Sequence, residues 1–222
     1  MQYYDSIYKN NNNFCGARPN KLLIKIKKSL KKGDEFLDLG CGQGKDSFYM
    51  SHLGFKVTAV DSSKVAISQI NELIQNKKIA NFTAKCQDIK KFVIHPKKFK
   101  IISSINALQF LAKKDSLNVI RKIKKSVIHG GFIVLASFTT ENAPSKRRRS
   151  SFELGEMKKL FPKSEFKIIH YFEGIFRDSG HIGMPKPHKH GVVEIIICKK
   201  QRSSDNKKPP TSDLKRKRSD VV

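Results

Sequence analysis

The 222-residue chain is long enough for one domain with a full-sized core, and its apolar runs, such as Phe132 to Ala136 and Val192 to Cys198, are far shorter than the roughly 20 residues that span a bilayer. The start, Met-Gln-Tyr-Tyr-Asp, has neither the basic nor the apolar character of a secretion signal, and Cys15, Cys41, Cys86 and Cys198 form no Cys-x-x-Cys pair; a cytoplasmic chain with reduced thiols is expected, without zinc knuckle or disulfide framework. A formal net charge of +26 attracts polyanions, nucleic acid or an acidic membrane surface among them, although an AT-rich coding bias would also raise Lys, Asn and Ile together.

Along the chain, Tyr3, Tyr4, Ile7 and Tyr8 come first, an aromatic patch suited either to lid a ligand cleft or to strap the fold, followed by the loop-like run Asn10 to Asn13. Asn20 can cap a helix in which Leu22, Leu23, Ile26 and Leu30 repeat at helical spacing, with Lys21, Lys25, Lys28 and Lys32 on the opposite, solvated face. The stretch Phe36 to Ser62 then reads as strand, glycine turn, helix and second strand, closing on an acid. Such a turn brings bare backbone to a ligand at a helix N-terminus, where N–H groups gather.

The residues of this stretch choose among nucleotide-like ligands. Gly40, Gly42 and Gly44 are spaced Gly-x-Gly-x-Gly, not the Gly-x-Gly-x-x-Gly of a pyrophosphate cradle, and Gly44-Lys45-Asp46 lacks the ending of a P-loop. Asp38, two residues before the first glycine, would repel phosphate and welcome an ammonium or sulfonium group. Asp61, ending the second strand, is placed to accept from both hydroxyls of a ribose. A ligand with a ribose, no phosphate and a cationic end fits, namely S-adenosyl-L-methionine, held by Asp38, Gly40, Cys41, Gly42, Gly44, Asp61 and Ser62.

Farther on, Ser62 or Ser63 opens a helix with Ala66, Ile70, Leu73 and Ile74 inward, and Phe82 to Cys86 reads as a third strand. Phe99 to Ile105 is a fourth, delivering Ser103, Ser104, Ile105 and Asn106 to the carboxyl end of a sheet, where ligands bind in open α/β folds. A helix with Leu117, Ile120, Ile123 and Val127 inward follows, ended by His129-Gly130-Gly131 before the strand Phe132 to Phe138. The run Lys146 to Arg149 sits in the next loop. Ser151 is read as capping a helix from Phe152 to Phe161, stopped by Pro162, before two strands at Glu165 to Phe172 and Gly191 to Cys198.

The connection between those last strands holds His181, His188 and His190. Their spacing suits a metal, but neither carboxylate nor cysteine accompanies them in sequence, so no metal is expected and a share in a substrate pocket or loop packing is read instead. The alternation as a whole predicts an α/β fold: a Rossmann-like seven-stranded sheet, five strands parallel plus an antiparallel edge hairpin, with helices on both faces. Residues 1–200 form the domain and 201–222 a disordered basic tail. That tail holds seven Lys or Arg against three Asp, so it supplies only +4 and leaves +22 on the body. Lys215-Arg216-Lys217-Arg218 has the form of a nuclear import signal should the host be eukaryotic.

Phe36 to Ser62 resembles the first motif of class I S-adenosylmethionine-dependent methyltransferases. The resemblance implies that Asp88 and Ile89 lie beside the adenine, while Ser104 and Asn106 are read as bordering the cofactor from their place at the carboxyl end of the fourth strand. Ser104-Ile105-Asn106-Ala107 does not match the Asn/Asp-Pro-Pro-Tyr/Phe motif of amino-group methyltransferases, which disfavours an exocyclic base amine. Arg18-Pro19-Asn20-Lys21-Leu22-Leu23, Gly44-Lys45-Asp46-Ser47 and the Pro187 to Glu194 ending are similar to the tellurite-resistance and thiopurine methyltransferase-like branch, although many relatives carry Arg-Asn where this chain has Lys45-Asp46. The branch implies a small-molecule acceptor of thiol or metalloid oxyanion type, with Tyr8, Arg18, Arg148, His181 and His188 as candidates to touch it. No catalytic base is assigned. RNA or protein methylation, and nucleic-acid binding without catalysis, stand as the other readings of the basic body.

Overall fold

The structure, a computed structural model, describes residues 2–11, 16, 18–141, 150–180 and 186–201. The candidates Arg148 and His181, the run Lys146 to Arg149 and the tail beyond Gln201 lie outside the described residues.

Seven strands form one sheet in the order β3-β2-β1-β4-β5-β7-β6. They are β1 (Glu35–Leu39), β2 (Lys56–Asp61), β3 (Phe82–Cys86), β4 (Phe99–Ile105), β5 (Val127–Phe138), β6 (Phe166–Asp178) and β7 (His188–Lys199). The first five pair in parallel, and β7 runs antiparallel between β5 and β6. This is the expected Rossmann-like sheet. Its order reverses at β1, where the chain goes outward to β2 and β3 before returning to β4, and such a reversal opens a crevice at the carboxyl ends of the strands.

Alternating strand residues feed two cores, one on each face. Phe36, Val57, Ile101 and Val134 pack against Leu22 and Leu23 of α2 (Lys21–Ile26), Met50 of α3 (Lys45–His52) and Ile67 and Ile70 of α4 (Lys64–Asn76). On the other face Leu37, Leu39, Ile102 and Ile133 meet Val119, Ile120 and Ile123 of α5 (Lys113–Ser126) and Met157 of α6 (Glu156–Lys159). Ser63 is the cap of α4, accepting from the Ala66 N–H at 3.1 Å. An N-terminal helix, α1 (Gln2–Asn10), seats Ile7 and Tyr8 on Ala66 of α4.

Several sequence-based boundaries are corrected. α2 stops at Ile26 and continues as a short 3-10 turn, leaving Leu30 extended. Leu73 of α4 is 40% exposed, since the inward face of the helix runs through Ala66, Ile67, Ile70 and Ile74 and leaves Leu73 at its margin. α5 ends at Ser126, and Val127, His129, Gly130 and Gly131 are already strand, since β5 extends to pair Val127 with Phe99. The stretch from Ser151 opens no long helix. Phe152 instead bridges to Thr139 beside β5 with its side chain fully buried, Gly155 turns the chain with φ of 74°, and only Glu156–Lys159 is α-helical. Finally, β6 and β7 are longer than expected, so His188 and His190 belong to β7 and not to a connection.

Candidate functional site

The turn after β1 is folded so that glycine is required. Gly40, Gly42 and Gly44 have φ of 78°, 53° and 79°. A Cβ on Gly40 would lie 2.2 Å from the Ala107 Cβ, so the turn is pressed against the chain leaving β4. Its N–H groups do not point outward as the sequence suggests. Gly40 and Cys41 donate to the Val60 carbonyl (2.8 and 3.2 Å), Gly42 donates to Asp61 Oδ2 (2.9 Å) and Gly44 to the Cys41 carbonyl (3.0 Å). The turn closes on the end of β2, and the N–H groups of Gly40, Cys41, Gly42 and Gly44 are engaged within the fold.

Three carboxylates surround this turn. Asp38 is 4% exposed beneath it, where Ser103 and Ser47 each donate a hydroxyl to one of its oxygens at 2.7 Å. Burial, then the nearby Asp46 carboxylate, push its pKa up to about 7, against the opposing pull of the two serines. Asp46, in the first turn of α3, accepts from the Asn20 N–H at 2.7 Å, and burial raises its pKa as well. Asp61 accepts from the Ser63 N–H through Oδ1 at 2.9 Å and from Gly42 through Oδ2, and burial raises it in spite of those bonds. A carboxylate offers about four lone-pair sites, and with the Ser62 N–H also facing it Asp61 still retains acceptor capacity for a further donor.

The neighbouring strand ends complete the rim. Asp88 follows β3, half-buried, with its Oδ1 accepting from the Lys90 N–H (2.9 Å), and Ile89 beside it is buried. Asn106 is exposed after β4 with φ of 55°, a left-handed backbone that costs a non-glycine residue about 1–2 kcal/mol and is held by its N–H bond to the Ala136 carbonyl. Ser104 requires a correction. It is fully buried and donates to the Leu39 carbonyl at 3.1 Å, so it pins β4 to β1 and does not face the crevice.

α1 covers this end of the sheet. Tyr4 packs edge-on against Phe110 (5.2 Å between centroids), in the 3-10 turn Leu108–Phe110 after β4, while Ile7 and Tyr8 sit on α4, after β2. Because β1 lies between those two strands, the helix passes over the glycine turn. Gln43 of the turn donates to the Asn11 carbonyl (2.7 Å), and Asp5 is hydrogen-bonded to Ser63. Tyr8 is buried, which makes it part of the strap. Arg18 is exposed, two residues from the Asn20 that holds Asp46. Cys41 is partly buried in the turn, with its Sγ donating to the Gly42 carbonyl at 3.6 Å.

At the β6 edge of the sheet, and at the same carboxyl end of the parallel strands as the glycine turn, Asp178 of β6 lies opposite the substrate candidate His188 of β7. His188 Nε2 is 2.7 Å from His190 Nε2, and Asp178 Oδ2 is 4.0 Å from the latter. The carboxylate missing from the sequence reading is thus supplied across the ladder. Sequence reasoning also passed over Asp46, Ser47 and Ser103. A pattern of small hydroxyls facing an apolar strand's single acid was the only signal for the two serines, and Asp46 is recognisable only through its tie to Asn20.

A family model described as "Tellurite resistance protein TehB" matches residues 6–179. A relative from Haemophilus influenzae named "Probable S-adenosyl-L-methionine-dependent methyltransferase TehB" is 31% identical over 132 residues, 59% of this chain and 46% of the relative. The chain therefore spans about half the length of that relative. Among solved structures, TehB from Haemophilus influenzae superposes with a TM-score of 0.73 at 22% identity, covering 89% of this chain and 67% of that one. An N-methyltransferase 2 from Haemonchus contortus, solved with phosphomonomethylethanolamine and S-adenosylhomocysteine, has a TM-score of 0.67 at 18% identity and covers 90% of this chain and 58% of that one.

Proposed function

This chain belongs to the family of the tellurite resistance protein TehB, and we propose that it is an S-adenosyl-L-methionine-dependent methyltransferase acting on a small molecule. The observation that carries the reading is the group Asp38, Asp46 and Asp61, three carboxylates held at raised pKa around a glycine turn in a chain of net charge +26. Such a cluster favours a cationic ligand over a phosphate, which its carboxylates would repel.

In this reading the spare lone pairs of Asp61 accept from the ribose hydroxyls, Asp88 and Ile89 border the base, and Gly40, Cys41, Gly42, Gly44, Ser62 and Asn106 form the floor and rim. Asp38, beneath the turn, acts on the cationic end through space. When bound, the cofactor supplies a methyl group on a positively charged sulfur, already activated for in-line displacement. What remains for the protein is to hold an acceptor in line and keep water out, a proximity contribution of up to about 7–11 kcal/mol. α1 supplies the roof, and Tyr8 keeps that roof seated.

For the acceptor, a thiolate or a metalloid oxyanion needs little general base, and none is assigned. Arg18, exposed beside the site, is the described residue best placed to attract an anion. A second reading, methylation of RNA or protein, is favoured by the +22 body and by a 31% identical match over 127 residues to a protein named "Ribosomal protein L11 methyltransferase" from Campylobacter concisus. A tritiated-methyl assay against a cell lysate, separated into small-molecule, RNA and protein fractions, decides between them. Label in the small-molecule fraction is the expected result, and label confined to RNA or protein overturns the acceptor assignment.

A further inference from the structure

The β7-β6 edge of the sheet, just beyond the carboxyl end of β5, holds a group of side chains that the cofactor reading does not use. Asp178 and His188 are paired residues of β6 and β7, and His190 is two residues along β7, so all three project from the same face. Their donor atoms, one from each residue, lie within 4.8 Å of one another.

The chemistry of the pair is set by its surroundings. His188 Nδ1 lies 2.8 Å from the Lys186 carbonyl, which can only accept, so that nitrogen carries a proton. In the neutral ring this leaves a lone pair on Nε2, which accepts the proton of His190 Nε2. On metal binding His190 shifts that proton to its Nδ1 or releases it to solvent, so that both Nε2 atoms can ligate. A ring N–H donated to a backbone carbonyl is the usual way in which a metal-ligating histidine is oriented. His190 is 5% exposed and its ring packs on Phe138 at 5.0 Å between centroids. The backbone beside it is fixed at Gly191, which donates to the Glu141 carbonyl at 3.0 Å and accepts from the Thr139 N–H at 2.8 Å. No side chain fits at Gly191, since a Cβ would approach Thr139 Oγ1 to 2.1 Å.

We propose that Asp178, His188 and His190 form a binding site for a divalent transition-metal ion of the zinc class, with a fourth position open. Two imidazole nitrogens and one carboxylate oxygen are a donor set such ions take, with bonds of about 2.0–2.2 Å. Tetrahedral coordination at that bond length sets donors about 3.3 Å apart. The 2.7 Å between the two imidazoles widens on binding and the 4.0 Å to Asp178 closes, shifts within the reach of side-chain rotation.

The test uses the full chain without a histidine tag, freed of metal by a chelator and titrated with Zn²⁺ by calorimetry. One ion per chain is expected, bound at least tenfold more weakly by Asp178→Asn and by His188→Gln, and not at that site by His188→Gln/His190→Gln. Cobalt substituted for zinc should give the visible absorption of a four-coordinate ion in the parent alone. Should the double variant melt non-cooperatively, imidazole ¹⁵N shifts in the parent decide, with Nε2 of His188 and His190 expected to move on adding Zn²⁺. The absence of stoichiometric binding by the parent, unchanged binding in the variants, or unmoved Nε2 signals each overturns the site.

Discussion

The parallel half of the sheet and its antiparallel end are built on opposite plans. Around β1 the polar groups are tied to one another across a single strand-turn-helix-strand unit, with Gly42 bonded to Asp61, Ser47 to Asp38 and Gly44 to Cys41. Around β6 and β7 the side chains are more open, with Ile169, Phe172 and Phe176 exposed, and the ionisable groups meet only because two long strands pair in one register. The first plan tolerates little change and suits a constant ligand. The second leaves room for different occupants.

Substituting glycines in the two regions gives the widest expected contrast. Gly40→Ala combines a positive φ with a Cβ pressed on Ala107, costing about 2–5 kcal/mol in folding or in turn geometry, whereas Gly174→Ala in β6 meets only the far edge of the Phe172 ring at 3.3 Å. Thermal melting should fall sharply for the first and move little for the second. Equal melting temperatures would erase the contrast.

The next effect is in pH. The folded-state pKa of Asp38 is raised from 3.8 to about 7, so its contribution to stability is fully present below 3.8 and is lost as pH rises through about 7. Binding of a cationic cofactor should strengthen over the same range, as the carboxyl ionises. In Asp38→Asn both dependences should flatten, which melting and calorimetry between pH 5 and 9 would read. A profile unchanged by this substitution would remove Asp38 from the electrostatics of the site.

A smaller effect is expected at the rim. Arg18→Ala should raise the KM of an anionic acceptor about tenfold, the scale of one charged hydrogen bond, and leave cofactor affinity within twofold. The smallest is expected from Asp178→Asn, which should leave cofactor affinity unchanged because β6 is separated from β1 by β4, β5 and β7. A loss of cofactor affinity there would join the two regions that the fold separates.

The same contrast explains what the sequence made legible. The glycine spacing, the two strand-end acids and the strand-helix alternation are local constraints, and they placed β1, β2, the turn and Asp61 correctly. The reading of outward N–H groups failed because the turn's closure onto the Val60 carbonyl is a contact made in space. The helix expected from Phe152 failed for a similar reason, since the buried Phe152 is claimed by β5 before its helical spacing can act. Asp178 stands ten residues before His188, and only strand register brings them together. Ser104 looked like a ligand contact because strand ends carry them, yet its hydroxyl is taken by Leu39.

The central claim, that Asp61 and the glycine turn hold the cofactor, is tested most directly by equilibrium binding of S-adenosylhomocysteine to the parent chain, Asp61→Ala and Asp61→Asn. Two charge-assisted hydrogen bonds at about 1.5–3 kcal/mol each predict a loss of at least about 100-fold in Asp61→Ala, with cooperative melting retained in at least one variant. Binding of equal strength in all three would contradict the account.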